Sequence, residues 1–149
     1  MALALRERGN SAFLLSQFAT AEAFYSQALR LTPADASLLA NRAAARAGQQ
    51  QWELALQDAV TATELDAGHA KGWFRRAEAA SALGRHAEAV AALEQGLVAA
   101  PLNRQLLEAL AAARERAAAA PAGACWFAAG GRYALRYSLS RLGGRAGAW

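Results

Sequence analysis

The sequence repeats itself every 34 residues over roughly its first hundred positions. Small residues recur at one position of this period, where Gly9 is followed by Ala43 and Ala77. Larger apolar residues recur at another, namely Leu5, Leu39 and Trp73. Pro33 and Pro101 end the first and third periods, where a proline cannot continue a helix. A period of this length is typical of stacked structural units, each of which buries its apolar face against the next.

The composition favours helix as the structure of each unit. Hydrophobic residues make up 55% of the chain, and many are alanine, which loses no side-chain entropy in a helix. Each period therefore predicts a hairpin of two helices, with repeats at about 2–35, 36–69 and 70–103. The predicted helices span about 2–15, 19–31, 36–47, 52–65, 70–83 and 86–99.

A further helix is expected at about 102–116, where Leu106, Leu110 and Ala113 recur at helical spacing and would cover the last hairpin. The predicted fold is all-α, an α-solenoid of three hairpins with a C-terminal capping helix, in a domain at 2–116. This spacing and residue pattern resembles the tetratricopeptide repeat (TPR) family. The alternative is an unrelated alanine-rich helical bundle.

The net charge of +4 belongs to the C-terminal segment. Residues 1–116 hold 12 basic and 12 acidic side chains, and four arginines without any acidic residue follow. Residues 117–149 are expected to be a poorly ordered tail rich in Ala, Gly and Arg. A basic, aromatic arm for nucleic acid, an anionic membrane or an acidic partner is one alternative, and an alternative end of a longer protein is another. Because the charges of residues 1–116 sum to zero, a nucleic-acid partner is not expected for that domain.

Several functional classes find no support in the sequence. The single cysteine, Cys125, cannot form an internal disulfide or a cysteine zinc site. His69 and His86 lie in no pattern suited to metal binding or nucleophilic catalysis, so neither a metal, a cofactor nor an enzymatic activity is expected. No membrane-spanning run or secretory signal is recognised, which favours the cytoplasm or the nucleus.

The first helices of the repeats carry polar residues that would share one wall. Arg6 and Asn10 lie four residues apart in the first repeat, and Lys71 and Arg75 do so in the third. Asn41 lies between them in the second repeat. In the TPR architecture the first helices line a concave groove, so this set would combine three cations and two amides, a combination suited to a carboxylate ligand.

The set resembles the two-carboxylate clamp of co-chaperone TPR domains such as that of the Hsp-organising protein. Asn41 stands in the Asn-Arg pair characteristic of those domains, and arginine at position 6 replaces their usual lysine. A planar guanidinium there changes the geometry of that corner. The resemblance implies that the following nine residues bind the ligand, five through its carboxylates and four as groove lining: Arg6, Asn10, Asn41, Lys71 and Arg75; Phe13, Ala44, Ala47 and Phe74.

By the same resemblance, the ligand is the C-terminal Glu-Glu-Val-Asp tail of the seventy- or ninety-kilodalton heat-shock chaperones. The chain would then be a co-chaperone or adaptor. Two alternatives remain open, a general protein-interaction scaffold for another peptide and the targeting module of a larger multidomain protein. The sequence does not distinguish between the two chaperone classes.

Overall fold

A computed structural model describes residues 1–120 of the chain, and these residues are helical with short turns. Seven α-helices follow one another: α1 Ala2–Leu14, α2 Phe18–Leu31, α3 Ala36–Gly48, α4 Trp52–Leu65, α5 Ala70–Ala82, α6 His86–Ala99 and α7 Arg104–Ala119. The first six helices agree with the predicted bounds to within one residue at either end. The expected all-α fold of stacked helical hairpins is confirmed.

The helices form three hairpins, α1 with α2, α3 with α4 and α5 with α6, and each hairpin packs against the next. The first helices of the hairpins also contact one another, α1 with α3 and α3 with α5, and α5 contacts α7. The second helices α2, α4 and α6 make no such contacts among themselves. The stack therefore curves with α1, α3, α5 and α7 on its inner, concave side.

Each hairpin turns through a residue with positive φ at the same point of the 34-residue period. These residues are Ser16 (φ 58°), Gln50 (φ 61°) and Gly84 (φ 76°). Glycine suits this left-handed region, whereas serine and glutamine adopt it with strain. The turn geometry is thus maintained in all three repeats although its residue is not.

Small residues let the two helices of a hairpin approach closely, as the period predicts. A Cβ added at Gly9 in α1 would lie 2.5 Å from Cε1 of Tyr25 in α2. A Cβ added at Gly96 in α6 would lie 2.8 Å from Cβ of Trp73 in α5. Alanines at 21, 28, 40, 45, 59, 62, 80 and 89 have no exposed surface. The core is therefore built from closely packed backbones with few bulky side chains between them.

Helix α7 covers the last hairpin. Its residues Leu106, Leu110 and Ala113 are buried in one apolar cluster with Ala92 and Leu93 of α6. The Asn103 side chain accepts a hydrogen bond from the Leu106 backbone N–H at 3.2 Å and so caps the first turn. This cap places the start of α7 at Arg104, two residues after the predicted start.

The end of α7 differs from the predicted domain boundary at 116. That boundary was placed at Arg116, where the composition changes, whereas alanines 117–119 continue the helix because alanine has the highest helix propensity. Ala120 has φ −65° and ψ 136°, the extended conformation favoured by a residue that precedes proline, here Pro121. The other residues of the predicted tail, 121–149, lie outside the described residues.

Candidate functional site: a polar chain across the concave face

The concave face carries a continuous chain of hydrogen bonds that joins all three repeats. Asn41 Nδ2 in α3 donates to Asn10 Oδ1 in α1 at 3.3 Å. Lys71 Nζ in α5 donates to Asn41 Oδ1 at 2.7 Å. Three of the five residues expected to bind carboxylates are therefore in direct contact, each from a different hairpin.

The direction of these hydrogen bonds determines what the chain can bind. Both amide oxygens already accept hydrogen bonds from protein donors. Asn10 Nδ2 retains two N–H groups, Asn41 Nδ2 retains one, and the Lys71 ammonium retains two, with no acceptor among residues 1–120. The exposed polarity is that of a donor site, which suits an anion with several acceptor oxygens.

Lys71 and Arg75 place two positive charges one helical turn apart on α5. Burial lowers the pKa of Lys71, and the positive charge of Arg75 lowers it further. Both effects disfavour the ammonium form in the free protein. A bound carboxylate would counter both effects, so the Lys71 and Arg75 end of the hydrogen-bonded row favours an anion.

Arg75 also has partners within its own helix. Its Nη1 donates to Glu78 Oε2 at 2.7 Å, and its guanidinium carbon lies 5.4 Å from the centre of the Phe74 ring. The ion pair and the ring hold the guanidinium beside the groove. A carboxylate ligand that binds Arg75 would share the Arg75 guanidinium with Glu78.

Arg6 lies one turn before Asn10 on α1 and is half-buried. No hydrogen bond or ion pair within the described part of the chain joins it to the Asn10–Asn41–Lys71 chain. The structure thus places Arg6 on the same helix as Asn10 without bringing it into direct contact with the other members of the set.

The four residues expected to line the groove differ in their surroundings. Phe13 is half-buried and meets Phe18 edge to face, with ring centres 5.4 Å apart. Ala47 is half-buried, and Phe74 borders an open cleft. Ala44 is only 6% exposed, because it packs within the stack, and so presents little surface to a ligand.

The cleft beside Phe74 has a volume of about 540 Å³ and extends along the inner side of α5 and α7. Phe74 and Leu93 give it an apolar floor, and Glu78, Glu108 and Arg116 lie at its border. The contribution of α7 was not foreseen from the sequence, where this helix was expected only to cover the core. Polar residues at 105, 108 and 116, with alanine at 112, were too weak a signal to indicate it.

A second unforeseen feature is the hydroxyl group of Tyr25. Its ring lies in the core, where the residue is only 2% exposed. Its hydroxyl, however, donates to Asn10 Oδ1 at 2.7 Å. The polar chain thus begins in the core, on the outer helix α2.

No helix within residues 1–120 is both long enough and apolar enough to cross a membrane. The same residues contain no group of three or more His, Cys, Asp or Glu side chains placed to hold a metal ion. The polar chain of the concave face is therefore the arrangement that defines the candidate site.

Comparison with known proteins identifies the family. Residues 70–101 match the tetratricopeptide repeat family. The fold superposes with a TM-score of 0.72 on the second TPR domain of the human RPAP3 protein, solved in complex with the HSP70 peptide SGPTIEEVD. The two are 32% identical over 76% of this chain and 94% of that domain. The chain belongs to the tetratricopeptide repeat family.

Two further relatives are similar over most of the described residues. The first TPR of Spaghetti (RPAP3), bound to the HSP90 peptide SRMEEVD, superposes with a TM-score of 0.74 at 28% identity, over 78% of this chain and 93% of that one. The Hsp70-Hsp90 organizing protein of Triticum aestivum is 40% identical over 121 residues, 81% of this chain. The chain spans 21% of the length of that relative.

Proposed function

We propose that this chain is a chaperone adaptor whose concave face binds the C-terminal Glu-Glu-Val-Asp tail of a seventy- or ninety-kilodalton heat-shock chaperone. The observation that carries the proposal is the hydrogen-bonded set Asn10–Asn41–Lys71, built from three separate hairpins, whose unused polar groups are mainly N–H donors. A C-terminal aspartate presents two carboxylates close together, one from the main chain and one from its side chain. Such a ligand matches a row in which both amide oxygens already accept hydrogen bonds from protein donors and the remaining N–H groups are free to donate.

The roles of the five polar residues follow from their positions. Asn10 and Asn41 offer amide N–H groups to one carboxylate, and Lys71 adds charge beside them. Arg75, one turn further along α5, reaches the second carboxylate in competition with Glu78. Arg6 contributes long-range positive charge from α1 and closes the first corner of the site.

The apolar part of the ligand packs further along the groove. Phe13 and Ala47 offer half-buried surface beside the polar chain, while Ala44 sets the depth of the groove floor. Phe74 borders the cleft between α5 and α7 and receives residues that precede the carboxylates.

The similarity to two TPR domains holding peptides that end in EEVD supports this choice of ligand. The modest share of the Triticum aestivum relative that the chain spans favours a second reading, in which these repeats are the targeting module of a larger protein. In either case we propose that the repeats bind a peptide and catalyse no reaction, and that they act in the cytoplasm or the nucleus.

The test compares two peptides of sequence Met-Glu-Glu-Val-Asp, one with a free C-terminal carboxylate and one with a C-terminal amide. Calorimetric titration of the purified chain should detect the free acid and leave the amide at least tenfold weaker, because charge-assisted hydrogen bonds contribute about 1.5–3 kcal/mol each. Affinity for the free acid should fall as salt is raised. Equal affinity for the two peptides, or none for either, would contradict the proposal.

A pair of variants locates the site. Lys71→Ala removes the cation that closes the polar chain, and binding of the free acid should be largely lost. Arg30→Ala removes an exposed cation from the last turn of the outer helix α2 and should leave affinity unchanged. A similar loss in both variants would mean that the peptide responds to overall charge and not to the concave face.

A further inference from the structure

The Asn10 side chain accepts a hydrogen bond from a buried residue, Tyr25, that does not reach the groove. Tyr25 lies on the outer helix α2, only 2% exposed, and its hydroxyl donates to Asn10 Oδ1 at 2.7 Å. The second donor to the same oxygen is Asn41 Nδ2, at the longer distance of 3.3 Å. The shorter of the two hydrogen bonds on Asn10 therefore originates in the core.

The position of the Tyr25 ring depends on the residue that precedes Asn10. A Cβ on Gly9 would approach Cε1 and Cδ1 of Tyr25 to 2.5 and 2.8 Å, so the ring lies directly against the α1 backbone. This close approach brings the hydroxyl within hydrogen-bonding distance of the next side chain along the helix. Packing thus fixes the hydroxyl, and the hydroxyl then fixes the amide.

The orientation of an asparagine amide matters here because its two ends are nearly the same size. A rotation of about 180° about the last side-chain bond would exchange oxygen and nitrogen with little steric cost. With Oδ1 directed towards Tyr25 and Asn41, Nδ2 is directed away from them, as a carboxylate ligand requires. In the reversed orientation an oxygen would face the ligand's oxygens.

We propose that Tyr25 is a positioning residue for peptide binding, whose hydroxyl holds the Asn10 amide with its N–H groups towards the ligand carboxylate. The inference rests on the proposed function for its effect on binding, and on geometry alone for its effect on Asn10. Burial raises the pKa of Tyr25, so the phenol keeps the proton it donates at neutral and mildly alkaline pH.

The deciding measurement is a double-mutant cycle between Tyr25→Phe and Asn10→Ala. Phenylalanine keeps the buried ring and removes only the hydroxyl. Tyr25→Phe should weaken binding of the free-acid Met-Glu-Glu-Val-Asp peptide about fivefold, the effect expected of one net hydrogen bond. In the Asn10→Ala background the same substitution should change affinity less than twofold. An equal loss in both backgrounds would overturn the proposal, because Tyr25 would then act through the fold and not through Asn10.

A matched control removes another buried hydroxyl, one that makes no hydrogen bond to Asn10, Asn41 or Lys71. Thr63 in α4 is 3% exposed and donates to the Val60 carbonyl at 2.8 Å. Thr63→Val should leave peptide affinity unchanged even where it lowers stability. A fivefold weaker affinity in Thr63→Val would show that general loosening of the stack accounts for the effect, and would overturn the proposal.

A measurement without peptide separates this inference from the proposed function. Nitrogen-15 relaxation of the Asn10 side-chain amide should report a rigid group in the unmodified chain and a mobile one in Tyr25→Phe. Equal rigidity in both proteins would overturn the positioning role, whatever the peptide does. Conversely, a chain that binds neither peptide but shows this change in mobility would refute the proposed ligand and leave the role of Tyr25 in orienting Asn10 supported.

Discussion

The Arg42 guanidinium in α3 donates two parallel hydrogen bonds to the Asp58 carboxylate in α4, Nε to Oδ2 at 2.8 Å and Nη2 to Oδ1 at 2.7 Å. Arg46, one turn later on α3, adds a third bond to Asp58 Oδ2 at 2.8 Å and a fourth to Glu22 Oε1 in α2, also at 2.8 Å. Two carboxylates, Asp58 and Glu22, thus balance the charges of two arginines at the junction of the first and second hairpins. This network fixes α3, the helix that carries Asn41, against both neighbouring outer helices.

Asp58→Ala should destabilise the chain by about 3 kcal/mol, because it leaves two half-buried guanidinium groups without their shared acceptor. Urea unfolding followed by circular dichroism measures the loss. Glu53→Ala, an exposed carboxylate on the same helix, serves as the control and should change stability by no more than about 0.5 kcal/mol. Comparable stability in the two variants would mean that the network contributes no net stabilisation.

Glu22 makes part of this stability dependent on pH. Burial alone would raise its pKa, but hydrogen bonds from Arg46 and Gln49 outweigh burial and lower it below the ordinary value of 4.5. Because the pKa is lower in the folded chain, the contribution of Glu22 is fully present above pH 4.5 and is lost as pH falls through the folded-state pKa.

The measurement is urea unfolding of the unmodified chain and Glu22→Gln at pH 7 and at pH 3. The variant should be the less stable at pH 7, and the difference should shrink at pH 3. Glu64→Gln, an exposed carboxylate on α4, corrects for the general loss of a negative charge. A difference that stays constant or grows on acidification would contradict the assigned interaction.

Ser16 and Gly84 occupy equivalent turns and both have positive φ, which glycine adopts easily and serine adopts with strain. Ser16→Gly should stabilise the chain by about 1 kcal/mol by relieving left-handed strain, and Gly84→Ser should destabilise it by about as much. A Cβ at Gly84 would meet no atom within 4 Å, so backbone strain alone sets its effect. Denaturation midpoints at unchanged slope measure both changes. Effects of the same sign would show that the turn backbone does not determine stability here.

The sequence predicted the helices well because the 34-residue period includes residues that terminate helices. Prolines and small turn residues stop each helix, and the periodic alanines and leucines define the faces between them. It predicted the turns less well. Of the three equivalent turn residues only Gly84 is of a type that favours positive φ, and neither Ser16 nor Gln50 indicates it by itself. It also did not indicate that α7 continues past Arg116 to Ala119, because the alanines there favour helix without any apolar periodicity.

The sequence predicted that Asn10, Asn41 and Lys71 share one wall of the groove, but it did not predict the hydrogen bonds that join them. That these residues bind a ligand stays a prediction. Asn10, Asn41 and Lys71 are separated by 31 and 30 residues, about one helical turn less than the 34-residue period at each step. They therefore run diagonally across the stacked helices, which makes the hydrogen-bonded chain possible. The hydroxyl of Tyr25 escaped prediction because an aromatic residue at a core position has an apolar role in the repeat pattern, whichever polar atom it carries.

Lys71 should impose a characteristic pH dependence on peptide binding. Its pKa is lowered by burial and by Arg75, so in the free chain the ammonium loses its proton below the ordinary value of 10.5. A carboxylate ligand binds the charged form, so affinity should be constant at neutral pH and should begin to fall below pH 10.5 as Lys71 is neutralised.

Titrations of the free-acid peptide, acetylated at its N-terminus, should be made from pH 7 to pH 10 with the unmodified chain and with Lys71→Arg. Arginine remains protonated throughout this range, so the variant should bind with an affinity that does not change with pH, although its planar head alters the absolute value. A parallel decline in both proteins would assign the titration to another group. Constant affinity in the unmodified chain would show that Lys71 either keeps its proton or lies outside the binding site.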